Sequence, residues 1–212
     1  NIEQVSDVKS MLARYFESQY DIKNRACISY KNLTVNNLNS KIRSNIIDSE
    51  DCFVPNEELT FLSAMVVDDK VVIGNNEVVT IDKLEKLEDK SLGITYYKII
   101  DKDARLFRAV DMSCRDDFEY ELQEIAKQAK KAVGSAKSSY WQRYFEIKNT
   151  FQQIAYTYCS TIYKVQGGSY DEVYIHLDEL LSMRSIIGDE GLYRSLYVGA
   201  TRTKDKLVLL MR

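Results

Sequence analysis

The sequence predicts an α/β protein, with a parallel β-sheet covered by helices on both faces and a small antiparallel β-barrel or sandwich inserted into it. Apolar runs without polar alternation, typical of strands buried on both faces, are separated by stretches with helical spacing. Short β-branched runs with tight turns occupy the middle of the chain. We therefore predict a first part of the α/β domain at 1–48, an insertion of barrel and helix at 49–135, and the rest of the domain at 136–212.

The first segment reads as helix, strand and helix. Apolar residues from Val5 to Phe16 recur at helical spacing, and Ala26 to Tyr30 reads as a buried strand. Thr34 is predicted to be the N-cap of a helix that continues through Val35, Leu38 and Ile42.

The insertion is predicted from strand-forming runs separated by turn residues. The runs are Leu59 to Val67, Val71 to Ile73, Val78 to Ile81, Ile94 to Ile100 and Leu106 to Val110. A helix should follow from Asp116 to Val133, with acidic residues in its first turn and lysines in its last. We interpret Gly134 to Ser139 as a flexible connection.

A second helix carries aromatic residues along one side: Trp141, Phe145 and Phe151, with Lys148 among them. We interpret this stripe as core rather than as a platform for nucleobases. Cations cluster in the same region, either as a solvated helix face or as a local track for nucleic acid: Lys127, Lys130, Lys131, Lys137, Arg143 and Lys148. The closing elements are strands at Tyr156 to Ser160, Glu172 to His176 and Lys206 to Leu210, with helix around Leu192 to Val198.

The composition of the chain excludes several classes of protein. The 212 residues carry a net charge of −3, which argues against a protein that coats DNA by bulk positive charge. Four scattered cysteines and a single histidine argue against structural zinc and fit a reducing cytoplasm. No apolar run approaches the roughly 20 residues that span a bilayer, so we expect no membrane association.

Two segments carry the candidate chemistry. The loop from Thr161 to Gly168 follows a strand, where α/β folds bind ligands, and Thr161 and Lys164 suit a nucleic-acid backbone. Its glycines let backbone N–H groups approach a phosphate. The same residues would also fit a polar turn with no ligand. Arg202 lies between a helix and a strand, where a lone arginine is more often a surface residue.

Taken together, these segments resemble a known family. The pattern Thr161-x-x-Lys164-x-Gln166-Gly167, followed by Tyr197-Val198-Gly199-x-Thr201-Arg202, resembles motifs V and VI of superfamily 1 helicases. The segment from Asn32 to Arg43 is similar to their motif IV region. The resemblance is strongest to the superfamily 1B branch of phage Dda-type enzymes, near RecD-like and Pif1-like helicases. It covers essentially the whole chain and is most specific at residues 141–212.

The resemblance implies a RecA-like domain with an SH3-like inserted barrel, acting as the C-terminal motor half of an ATP-dependent 5′–3′ DNA helicase. It implies that Arg202 is the catalytic arginine finger, and that Gln166 and Gly167 line the nucleotide site with it. It also implies that single-stranded DNA is bound by residues of motifs IV and V: Asn32, Thr34, Thr161, Tyr163 and Lys164. The expected cofactors are ATP and Mg²⁺, and the expected setting is the cytoplasm, that of a bacterial host if the source is a phage.

The chain contains no G-x-x-x-x-G-K-[ST] motif and no acidic magnesium motif after an apolar strand. We therefore expect an N-terminal RecA-like domain of the same protein to hold ATP and Mg²⁺, and the isolated chain to be inactive as an ATPase. Replication or recombination proteins are further expected partners. The alternatives are a non-catalytic module that binds nucleic acid or a partner, and a nucleotide-binding enzyme of another class.

Overall fold

The computed structural model describes residues 1–165 and 167–212. Its helices are α1 (Val8–Glu17), α2 (Asn32–Ile46), α3 (Arg115–Lys131), α4 (Ser135–Thr150), α5 (Leu177–Ser182) and α6 (Arg184–Ala200). Its strands are β1 (Ile2–Val5), β2 (Arg25–Ser29), β3 (Glu58–Phe61), β4 (Met65–Val67), β5 (Lys70–Ile73), β6 (Val78–Asp89), β7 (Ile94–Asp101), β8 (Leu106–Val110), β9 (Ile154–Tyr156), β10 (Cys159–Thr161), β11 (Tyr170–His176) and β12 (Thr203–Leu210). None of the described helices combines the length and apolar character needed to cross a bilayer.

The chain folds as two compact units. The sheet unit comprises Asn1–Asp48 and Tyr156–Arg212, and the insertion unit comprises Ser49–Ala155. The insertion is predicted to end at residue 135, whereas the second unit continues through α4. This helix lies along α3, and Phe151 at its end packs with Ile94 and Phe118 of the same unit.

The sheet unit is built on a parallel sheet in the order β1-β12-β11-β2-β10. On one face, Val173 and Ile175 of β11 pack with Leu192 of α6. Tyr174 lies between those two residues and points to the other face, where its ring centroid is 5.2 Å from that of Tyr15 in α1. The predicted α/β fold, with a parallel sheet and helices on both faces, is confirmed.

Helix α2 is attached to the edge strand β10 by one buried side chain. The amide nitrogen of Asn39 donates to the carbonyl oxygen of Cys159 at 2.9 Å, and the Cys159 N–H donates to the Asn39 amide oxygen at 2.7 Å. This exchange satisfies backbone groups of a strand that has only one neighbour in the sheet. It therefore fixes the helix that begins at Asn32 against the strand that ends at Thr161.

Two predicted helix starts are wrong. Val5 ends β1, which pairs with β12, and α1 begins only at Val8 because Asp7 caps it by accepting from the Ser10 N–H at 2.8 Å. Helix α2 begins at Asn32, so Thr34 lies in its first turn and is not the N-cap. The Thr34 hydroxyl donates to the carboxylate of Glu179 on α5 instead.

The insertion unit contains an antiparallel sheet with the strand order β8-β7-β6-β3-β9, and a separate β4–β5 hairpin. Strand β6 continues to Asp89, well beyond the predicted end at Ile81. Its second half is rich in charge, so it lacks the apolar run that marked its first half. It is held by pairing with the whole length of β7.

Two predictions about α4 are wrong. The segment from Gly134 to Ser139 is not a flexible connection, because Gly134, with φ +62°, reverses the chain and α4 begins at the next residue. The aromatic stripe is not core: no residue of α4 is buried, and Phe145 is 50% exposed. Only Phe151, just beyond the helix, is buried as predicted.

Candidate functional site

The predicted DNA-binding residues lie on two loops at one edge of the parallel sheet. Strands β2 and β10 are neighbours, with Ser29 opposite Thr161 at their carboxyl ends, which we call the carboxyl edge. The Ile162 N–H donates to the Ser29 carbonyl at 3.2 Å, so the loop after β10 starts alongside the loop after β2. The structure therefore brings Asn32 and Thr34 to the same edge as Thr161, Tyr163 and Lys164.

Two tyrosines join these loops. The ring centroids of Tyr30 and Tyr163 are 6.0 Å apart in an edge-on arrangement. A hydrogen bond with Tyr163 raises the pKa of the Tyr30 hydroxyl, and burial adds to the effect. Tyr163 nevertheless keeps 56% of its surface exposed, so it presents an aromatic ring next to polar groups at the carboxyl edge.

Lys164 is held in a tight turn, where its N–H donates to the Thr161 carbonyl at 2.9 Å. Its side chain is exposed, yet desolvation by nearby protein atoms lowers the pKa of its ammonium group. A cation with incomplete hydration gains more from a phosphate than a fully solvated one does. Lys164 therefore presents a partly desolvated cation at this edge to an anionic ligand.

Glu179 organises the carboxyl edge, although no pattern in the sequence marks it as a site residue. Its carboxylate accepts from the Ser29 and Thr34 hydroxyls, from the Tyr30 N–H at 2.9 Å and from the Lys31 N–H at 3.0 Å. Burial alone would raise the pKa of Glu179, but these hydrogen bonds outweigh burial and lower it. The charged carboxylate thus supplies the cap that α2 lacks from its own N-cap residue, Lys31.

This arrangement constrains two of the predicted DNA ligands. Because the Thr34 hydroxyl donates to Glu179, only its oxygen lone pairs remain for another partner. Asn32 at the start of α2 is exposed, and its amide can both donate and accept. The two residues therefore offer different chemistry to a ligand despite lying in the same helical turn.

Arg202 lies at the opposite edge, where β11 and β12 begin, which we call the amino edge. Its guanidinium donates to the carbonyls of Val198 at 3.2 Å and Gly168 at 3.3 Å, and to the Thr201 hydroxyl at 3.2 Å. The Arg202 carbonyl in turn accepts from the Tyr170 N–H at 2.8 Å. These contacts orient the planar guanidinium group of Arg202. Each of its two terminal nitrogens keeps one N–H that can donate to a phosphate oxygen.

The glycine loop beside Arg202 has a backbone that excludes side chains. Gly167 has φ +88°, in the left-handed region. A Cβ on Gly168 would lie 2.8 Å from the hydroxyl oxygen of Tyr170. The structure thus brings Gly167 and Arg202 into one neighbourhood, while the predicted Gln166 lies outside the described residues.

The two edges are connected through the core. The chain from Ile162 to Gly168 leaves the carboxyl edge and ends at the amino edge, with Ile162 and Val165 buried in the apolar cluster. A Cβ on Gly199 would lie 2.9 Å from Cδ1 of Ile175 and 3.4 Å from Cδ1 of Ile162. The helix that leads to Arg202 therefore contacts the loop that leads to Lys164.

Comparison with known protein families gives a match to part of the sheet unit. Residues 156–210, about a quarter of the chain, match the model of the UvrD-like helicase C-terminal domain. The match includes the loop from Thr161 to Gly168 and Arg202, but not Asn32 or Thr34. No curated relative matches the chain.

Two solved helicase structures show a distant likeness to the chain. The Pif1 helicase from Candida albicans is 10% identical, with a TM-score of 0.42, covering 97% of this chain and 50% of that one. A Bacteroides Pif1 helicase in complex with ADP-AlF3 and ssDNA is 12% identical, with a TM-score of 0.42, covering 94% of this chain and 44% of that one. The chain thus spans about half the length of these helicases or less, and the likeness is too distant to carry an argument.

Proposed function

We propose that the chain is the C-terminal motor half of a superfamily 1B ATP-dependent DNA helicase. The observation that carries the proposal is the UvrD-like match at residues 156–210, which includes both the loop from Thr161 to Gly168 and Arg202. The structure places the end of that loop against Arg202 by a hydrogen bond to Gly168. ATP and Mg²⁺ would be held mainly by an N-terminal RecA-like domain, as the family resemblance implies.

In this proposal Arg202 is the arginine finger, and Gln166 and Gly167 line the nucleotide site. An arginine keeps its charge at all accessible pH values, and its remaining N–H groups match phosphate oxygens. The residues present therefore fit a triphosphate that is bound elsewhere and approached from this side. A finger stabilises negative charge as the γ-phosphoryl group is transferred.

The carboxyl edge binds single-stranded DNA in this proposal. Lys164 supplies the charge, and Asn32, Thr34 and Thr161 supply polar contacts to the phosphate backbone. The exposed ring of Tyr163 can stack on a base, because unpaired bases expose their faces. Nucleotide and DNA would thus contact opposite ends of the segment from Ile162 to Gly168.

Finer features extend the same proposal. These features are membership of the Dda-type branch, movement in the 5′–3′ direction, and an insertion sheet that closes into an SH3-like barrel. A phage source, with action in the cytoplasm of the bacterial host, is a further feature. Replication, recombination or repair proteins would be the partners of such an enzyme. Each of these rests on the family resemblance.

The test is the DNA-stimulated ATPase of the full-length protein carrying Arg202→Ala. We expect a loss of about 10³-fold or more in turnover, with nucleotide binding largely retained, because a finger acts on the transition state. Arg194→Ala is the matched control, since Arg194 lies on α6, the helix that precedes Arg202, and forms an exposed ion pair with Glu190. Turnover near the wild-type rate in Arg202→Ala would favour the alternative, a non-catalytic nucleic-acid or docking module.

A further inference from the structure

Helix α4 exposes a stripe in which aromatic residues lie between cations. Trp141 and Phe145 stack with centroids 5.9 Å apart and an interplanar angle of 29°, and Tyr144 lies edge-on to both. Lys137 is one turn before Trp141, and Lys148 lies one turn beyond Tyr144. We call these five residues the α4 stripe.

The aromatic side chains of the stripe remain at least partly exposed to solvent. No residue of α4 is buried, and Phe145 is 50% exposed. Trp141 and Tyr144 are partly covered and also keep exposed surface. Aromatic rings that stack on each other in contact with solvent form a ready platform for another flat apolar surface.

Charge around the stripe selects the partner. Residues 125–145 contain five cations and no Asp or Glu: Lys127, Lys130, Lys131, Lys137 and Arg143. Of these, Lys127 pairs with Glu124, while no ion pair joins Lys137 or Arg143 to another described residue. Arg143 and Glu146 lie about 160° and 140° around the helix from Trp141, so neither charge belongs to the stripe. The charged groups of the stripe are therefore Lys137 and Lys148, both cations, although the net charge of the chain is −3.

We propose that the α4 stripe binds single-stranded nucleic acid, with bases stacking on Trp141 and Phe145 and phosphates contacting Lys137 and Lys148. Stacking requires unpaired bases, because base faces in a duplex are already covered. Lys137 and Lys148 are about 16 Å apart along the helix axis at 1.5 Å per residue, which leaves room for a few nucleotides. This surface lies in the insertion unit and goes beyond the proposed motor function, which rests on residues of the sheet unit.

The chain carries its own probe, because Trp141 is the only tryptophan. We expect the intrinsic fluorescence of the 212-residue chain to be quenched when an oligo-dT of 15 nucleotides is added, and to change little with a duplex of the same length. Binding without quenching would overturn the proposal. So would an emission that changes with protein concentration alone, since a second copy would then cover the stripe.

Substitutions locate the binding. Phe145→Ala should weaken oligo-dT binding at least about fivefold, since stacking contributes ~1–3 kcal/mol per base and 1.4 kcal/mol is tenfold. Tyr120→Ala is its control, because Tyr120 is an exposed aromatic residue of α3 outside the stripe. Lys137→Ala should reduce the slope of log affinity against log salt by about 0.7, whereas Lys102→Ala in an exposed turn of the same unit should not.

The substitutions also separate this inference from the motor proposal. Unchanged binding in Phe145→Ala and Lys137→Ala would overturn the stripe and leave the carboxyl edge as the DNA site. Normal quenching of Trp141 combined with normal ATPase in Arg202→Ala would support the stripe while removing the motor assignment.

Discussion

The two edges of the parallel sheet present their functional groups in different ways. At the amino edge, the Arg202 guanidinium donates to two backbone carbonyls and one hydroxyl. These hydrogen bonds hold its positive charge in one position. At the carboxyl edge, Tyr163 and Lys164 are exposed, and the fixed charge is the buried carboxylate of Glu179, which accepts from the Tyr30 and Lys31 N–H groups. In the proposed roles, an arginine finger needs one fixed geometry, whereas a surface that binds and releases single-stranded DNA needs exposed side chains on a rigid base.

Glu179 should therefore matter most for the architecture of the carboxyl edge. Replacing it by Gln keeps its size and one accepting oxygen but puts an amide NH₂ in place of the other, so the donors that face this nitrogen lose their acceptor, and the negative charge is lost. We expect Glu179→Gln to lower the free energy of unfolding by about 2–4 kcal/mol at pH 7, measured by urea denaturation. Glu190→Gln, at an exposed ion pair, should change it by less than about 1 kcal/mol.

The same pair of variants gives a pH dependence with a defined sign. Because the folded pKa of Glu179 lies below its ordinary value of 4.5, the carboxylate stabilises the fold above that pH and loses this effect as pH falls through the folded value. The stability gap between wild type and Glu179→Gln should thus narrow in acid. A gap of constant size from pH 7 to pH 3 would mean that the charge of Glu179 contributes nothing.

The sequence predicted what local patterns specify and missed what distant residues decide. Strands β2, β11 and β12 stand out as apolar runs, and Gly167 and Arg202 stand out by their spacing. Strand β1 was missed because its pairing partner, Leu207 opposite Ile2, lies at the other end of the chain. Glu179 was missed because one carboxylate at a helix start gives no local sign that it caps another helix.

The stripe on α4 also shows that a local sequence pattern does not determine which residues are buried. Helical spacing correctly places Trp141, Phe145 and Lys148 along one side of a helix, but periodicity does not say what covers that side. The fold leaves Phe145 exposed and buries Phe151. The choice between core and platform is thus a property of the tertiary structure of the insertion unit.

Gly199 tests whether the two edges are mechanically joined. A valine there would place methyl groups where Ile175 and Ile162 already lie, so we expect a loss of about 1–3 kcal/mol in unfolding free energy. Because Ile162 adjoins Thr161, the variant should also weaken DNA binding at Lys164. Tyr193→Val, at an exposed position of α6, controls for a β-branched residue in this helix. Weakened stability with fully normal DNA affinity would argue against a rigid link between the edges.

Lys164 should give the smallest effect, and the most specific one. Removing a single phosphate contact by Lys164→Ala should weaken binding of single-stranded DNA several-fold and reduce its salt slope by about 0.7, leaving stability within about 0.5 kcal/mol of wild type. Lys41→Ala, an exposed lysine on α2, should leave both unchanged. Since desolvation already lowers the pKa of Lys164, a bound phosphate should raise it, and DNA binding should take up protons at alkaline pH. An affinity that falls without any change in salt slope would place Lys164 beneath the DNA site, as a residue that shapes the loop rather than one that contacts phosphate.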